Sequence, residues 1–115
     1  METIELNQAA IVAHMAAATG GTIRVKNTGA YVATFKVQYS LKGTRYTIES
    51  GNFTAGTTRA LDVPAGATDI YLEVSEYVFI GITTVIFTKR YDSPGNYCFE
   101  IGGTTFSPSW KEVAC

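Results

Sequence analysis

The chain has 115 residues, enough for one domain that buries roughly two-thirds of the surface its unfolded form exposes. Hydrophobic residues make up 46% and charged residues 17%, a balance that supports a packed core and excludes an intrinsically disordered chain. The net charge of −1 supplies no Lys/Arg footprint of the kind that nucleic acid or an anionic membrane demands.

At the N-terminus, Asn7 is a fair N-cap, Gln8–Thr19 is rich in Ala, and Gly20-Gly21 offers a stop. Ile11, Val12, Met15 and Ala18 share one helical face, so residues 1–20 read as a short helix or an extended arm attached to a domain over residues 21–115. The apolar stretch Ala9–Ala18 is too short and Ala-rich to span a bilayer, and the first Lys or Arg is Arg24. No cationic segment of a signal peptide precedes it. The chain is therefore expected to be soluble: cytoplasmic, secreted without a leader, or a mature form that has lost one.

From Thr22 the period changes to two. Ile23 and Val25 alternate with Arg24 and Lys26, and Asn27-Thr28-Gly29 turns. Tyr31, Ala33, Phe35, Val37, Tyr39 and Leu41 then point one way, with Val32, Thr34, Lys36, Gln38 and Ser40 opposite. This is the strongest strand signal in the chain. Lys42-Gly43 turns it, and Arg45–Glu49 runs back as a hairpin partner. Thr58–Val63 reads as a strand ended by Pro64-Ala65-Gly66. Ile70, Leu72 and Val74 alternate with Tyr71, Glu73 and Ser75, and Tyr77–Phe87 is apolar almost throughout. After the loop Asp92–Asn96, Tyr97, Phe99 and Ile101 alternate with Cys98 and Glu100. Some seven short strands at this spacing predict an all-β fold, an antiparallel two-sheet β-sandwich. Tyr31, Ala33, Phe35, Val37, Tyr39, Ile70, Leu72, Val74, Phe99 and Ile101 should share its core.

Catalytic chemistry has few carriers. The single His14 has no partner at metal-ligand spacing and reads as a surface or packed residue. Cys98 and Cys115 lack CxxC spacing and read first as reduced thiols, with a disulfide closing a loop at the C-terminus as the alternative. Glu73, Glu76, Asp92 and Glu100 fall on polar strand faces and loops and read as solvated. With no nucleophile motif or phosphate loop either, the expectation is a non-enzymatic protein without metal or cofactor.

Three segments together resemble the C-terminal domain of the cholesterol-dependent (thiol-activated) cytolysins. They are Gly29-Ala30-Tyr31-Val32-Ala33 with the strand after it, the stretch from Thr54-Ala55 through Leu61-Asp62-Val63-Pro64 to Ile70-Tyr71-Leu72, and Ile101-Gly102-Gly103-Thr104-Thr105-Phe106-Ser107-Pro108. The resemblance runs from about Ile23 to Pro108. It implies a β-sandwich that recognises sterol-rich membranes through loops at one end, here as the recognition module without the pore-forming domains. The family's Thr-Leu pair falls on Thr105 and Phe106, after Thr104. Its tryptophan-rich segment falls on Glu76–Thr84, which has no Trp and no Cys. The contact residues implied are Thr104, Thr105, Phe106, Tyr77, Val78, Phe79 and Ile80.

Membrane lipid or sterol is accordingly the first expected partner. Two alternatives stand beside it. Tyr91, Asn96, Tyr97 and Trp110 suit a lectin-like or protein-binding surface, and exposed strand edges suit a homo-oligomer without a small ligand. Consecutive apolar residues in Tyr77–Ile82 exceed what a half-buried strand needs. They must meet the N-terminal segment, a partner or lipid.

Overall fold

The computed structural model describes residues 19–115. The expected helix or arm over residues 1–20, with His14, lies outside them except at its last two residues. Thr19 and Gly20 already belong to the first strand, so Gly20-Gly21 is strand rather than a helix stop. There the chain packs closely on another loop: a Cβ on Gly21 would sit 2.2 Å from the Gly95 carbonyl oxygen.

Eight strands follow in order: β1 (Thr19–Asn27), β2 (Ala33–Leu41), β3 (Thr44–Glu49), β4 (Thr58–Pro64), β5 (Thr68–Phe79), β6 (Ile82–Tyr91), β7 (Tyr97–Thr104) and β8 (Ser107–Val113). They form two four-stranded sheets, β4-β1-β7-β8 and β3-β2-β5-β6. Every ladder is antiparallel except that of β1 with β7, which is parallel from Ile23 opposite Tyr97 to Asn27 opposite Ile101. β8 lies beyond the last strand that the sequence pattern marked. As an edge strand it tolerates Pro108, which can give no ladder hydrogen bond.

The period-two residues meet between the sheets. All ten predicted core residues are buried, joined by Ile23, Val25, Val63 and Phe87. Alternation in β2 runs unbroken from Ala33 to Ser40, because one face of that central strand is in the core and the other is turned out. Phe53, from the loop between β3 and β4, completes the core and meets Phe35 edge to face at 6.0 Å between ring centroids. Trp110 on β8 stacks on Phe87 of β6 at 4.3 Å and closes the side of the sandwich where those edges meet.

The cysteines are joined in a disulfide, Cys98–Cys115, and not reduced. The cause is the strand that sequence reasoning did not find. β8 pairs Val113 with Cys98, which brings the C-terminal residue back alongside β7. A second correction concerns Glu76, which is not solvated. It follows Ile70, Leu72 and Val74 on the inner face of β5 and is 1% exposed.

Candidate functional site

Strand directions collect four connections at one end of the sandwich. β1 and β7 run parallel toward it, β5 ends there opposite the start of β2, and β3 exits there toward β4. The connections are residues 28–32, 50–57, the β5–β6 turn at Ile80-Gly81, and the β7–β8 turn at Thr105-Phe106.

A buried polar framework holds these loops together. Asn27 is fully buried at the end of β1. Its Nδ2 donates to the carbonyls of Tyr31 (2.8 Å) and Phe53 (3.3 Å), and its Oδ1 accepts from the Gly29 N–H at 2.8 Å. Its own backbone pairs with Thr57 and Gly56. The Tyr31 hydroxyl donates to the Gly102 carbonyl at 2.7 Å, tying residues 28–32 to the base of the β7–β8 turn. Burial, and then the Glu76 carboxyl, push that phenol up to about 12, so it remains a donor throughout the neutral range. The Glu76 Oε1 is buried with no hydrogen-bond partner among the described residues, and burial raises its carboxyl above the ordinary carboxylate range. The Asn27-Thr28-Gly29 turn signal pointed to this place in the sequence. Nothing local told that its asparagine would hold two loops together.

What the framework supports is apolar and bare. Phe79 is 70% exposed, Ile80 91% and Ile82 54% around the β5–β6 turn, while Phe106 is 92% exposed on the β7–β8 turn. Both turns are two residues long and helped by left-handed glycines. Gly81 has φ of 74°. Gly103 has φ of 81°, and a Cβ there would lie 2.3 Å from the Ser107 carbonyl oxygen. Tyr77, Val78, Phe79 and Ile80 line an open recess of about 420 Å³ with Val32, Asn52 and Gly81. Thr104, Thr105 and Phe106 stand at the same end but do not line that recess.

The connections at this end are free of charge. No residue in 28–35, 50–58, 77–88 or 101–110 is charged. Lys42, Arg45, Asp69, Arg90 and Asp92 cluster around the opposite turns, where Asp69 pairs with Arg45 at 3.3 Å and Arg90 at 3.6 Å.

The residues of the lectin-like alternative are engaged with the protein itself. Tyr91 stacks on Tyr97 at 3.7 Å, Trp110 carries the Lys89 ammonium over its ring at 5.1 Å, and the Asn96 Oδ1 accepts from the Thr22 N–H at 3.1 Å. Among the described residues, no group of three or more His, Cys, Asp and Glu side chains could hold a metal ion, and no helix is long and apolar enough to cross a membrane.

The family model described as the thiol-activated cytolysin beta sandwich domain matches residues 22–109. Among solved structures, listeriolysin O superposes with a TM-score of 0.64 at 20% identity, over 85% of this chain and 23% of its own. Suilysin from Streptococcus suis gives 0.60 at 17% identity, over 82% and 23%. The membrane-binding domain of pneumolysin gives 0.62 at 18% identity, over 84% of this chain and 97% of its own. This chain thus spans about a quarter of the full-length toxins, and its fold corresponds to one domain of them. No curated protein matches the sequence.

Proposed function

The chain belongs to the thiol-activated cytolysin β-sandwich domain family, and from that premise we propose that it is a non-enzymatic membrane-recognition module that binds lipid, including sterol, through the four-loop end. The observation that carries this reading is the coincidence of two features at one end of the sandwich: large exposed apolar side chains, Phe79, Ile80 and Phe106, and a complete lack of charge in the loops around them. A tip meant for water or for an ionic partner gains nothing from that combination, whereas a bilayer interior penalises charge and favours apolar burial.

Magnitudes set how the tip works. Burying three such side chains contributes about 5–9 kcal/mol before the cost of association. One copy therefore binds weakly, and tight attachment needs several copies on one membrane. Homo-oligomerisation on the bilayer is part of the proposal for this reason. Thr104 and Thr105 place hydroxyls beside Phe106, in position to meet a polar lipid group at the interface.

The test is co-sedimentation of the protein with phosphatidylcholine vesicles, with and without sterol, for the wild type, Ile80→Asp and Phe106→Asp. Both positions are exposed, so both variants should fold. Loss of sedimentation in each, with an unchanged circular dichroism spectrum, is the expected result. Folded variants that sediment like the wild type would remove these turns from the contact surface.

A further inference from the structure

Just behind the apolar hairpin, on the outer face of the β3-β2-β5-β6 sheet, lies a polar cleft of about 250 Å³. We propose that this cleft binds a quaternary-ammonium (choline-type) headgroup. Only the placement of that headgroup at a bilayer rests on the membrane reading above.

The chemistry of the lining points to a cation with an anionic neighbour. Lys36 stands between two carboxylates, opposite Glu49 in the β2–β3 ladder and opposite Glu73 in the β2–β5 ladder, with its Nζ 3.9 Å from a Glu73 oxygen. The three charges sum to −1. Glu73 is further held by the Tyr71 hydroxyl at 2.9 Å, while Glu49 makes no ion pair within 4.0 Å among the described residues. Tyr77 lines the cleft and has no aromatic or cationic partner among the described residues, so its ring is available to a ligand cation. Thr34, Ser75 and Thr83 supply hydroxyls. Ser75 is only 6% exposed and lines the cleft. A trimethylammonium group meets the ring and the surplus carboxylate, and Lys36 meets the attached phosphate. A headgroup with net negative charge would meet the surplus carboxylate, and an uncharged sugar would leave it unmatched.

Position agrees with chemistry. Tyr77 also lines the apolar recess at the tip, so cleft and recess adjoin through one side chain. At about 3.3 Å per residue along β5, Tyr77 and Ser75 stand about 10 and 17 Å behind Ile80. With the tip buried about 10 Å, Tyr77 stands at the hydrocarbon boundary and Ser75 at the outer edge of the headgroup layer, which is about 5–7 Å thick on each side of the hydrocarbon.

The whole chain is titrated with soluble phosphocholine, followed by the amide NMR signals of Ser75, Tyr77 and Thr83, with inorganic phosphate and galactose as controls. Saturable shifts with phosphocholine alone, in the millimolar range and weakened about threefold or more by Glu49→Gln, are expected. Glu49 is exposed at a sheet edge, so an unchanged melting temperature will show that the variant is intact. In parallel, vesicles of fixed acyl and sterol content carry choline, glycerol or galactosyl headgroups, and preference for the choline surface should fall with Glu49→Gln. Absence of shifts up to about 100 mM phosphocholine, equal shifts with phosphate or galactose, or a headgroup preference indifferent to Glu49→Gln would each overturn the site. Vesicle binding with no response in the cleft leaves the tip standing and removes the cleft. Phosphocholine binding without vesicle binding supports the cleft and removes the membrane reading.

Discussion

Glu76 is the residue whose burial asks most of its surroundings. It is a carboxyl on the inner face of β5, directly before the hairpin that carries the exposed apolar side chains, with one oxygen unpartnered among the described residues. Desolvation raises its folded-state pKa, so the native protein holds this proton more tightly than the unfolded chain does. The stability it allows is fully present below the ordinary carboxylate range and is lost as pH rises through the raised value. Glu76→Gln keeps the shape and removes the charge. It should raise the melting temperature at neutral pH, leave it little changed in acid, and flatten the slope between. Thermal unfolding of both proteins across that range checks this, and an unchanged slope would place the carboxylate in contact with solvent. The parity of Ile70, Leu72 and Val74 already placed residue 76 inward. Its charge argued for the surface, and in this strand the backbone period outweighed the side chain's preference for water.

At the scale of elements, β8 and its disulfide are the part of the fold that local patterns concealed. Ser107–Val113 carries no run of alternating apolar residues and begins with Ser-Pro, because this edge strand turns only one large apolar side chain, Trp110, toward the core, where it stacks on Phe87. Without β8 nothing placed the last residue beside Cys98. The crosslink spans 17 positions, and closing a loop of that size stabilises by about 3 kcal/mol. Cys115→Ser should lower stability by about 2–3 kcal/mol, seen as a lower urea midpoint, and reduction of the wild type should reproduce the shift. A wild type indifferent to reductant would show the bond contributes nothing. By contrast, β2 was legible almost residue by residue, because a central strand with one buried face repeats its instruction every second position. The segment from Tyr77 to Phe87 was legible only as excess. Both of its faces are apolar, so periodicity could not reveal a turn at Ile80-Gly81, and Ile86 is an extra residue opposite the Val74–Ser75 step that shifts the register again. The contact residues named from the resemblance all fall at one end, while Asn27 and Tyr31 beneath them depend on partners far away in sequence.

Over the whole molecule, the loops of one end carry no charge, and the ion pairs of Asp69 with Arg45 and Arg90 lie at the other. On the proposed reading, membrane attachment led by Phe79, Ile80 and Phe106 should therefore have little electrostatic component. Raising salt from about 50 to 500 mM should alter vesicle affinity by less than about threefold, since screening acts on charges and hardly on apolar burial. Adding anionic lipid should not strengthen binding. A steep fall with salt in a sedimentation series would show that attachment runs through Lys and Arg at the other end and would reverse the orientation of the molecule on the bilayer.

The parallel pairing of β1 with β7 also dictates an order of assembly. β1 lies inside its sheet, yet one of its two neighbours is made from residues near the end of the chain. The other sheet takes all its strands from the stretch between Ala33 and Tyr91 and can form as soon as that stretch is complete. During synthesis its inner face, with Phe35, Leu72 and Val74, has only β1 and β4 to cover it until β7 arrives to complete the layer above it. Closure over so long a loop is slow, on the scale of milliseconds to seconds for such topologies. The nascent chain thus passes through an interval in which its future core, like its mature tip, is an apolar surface in search of cover, and shielding that half-built face is the demand this fold places on the cell that makes it.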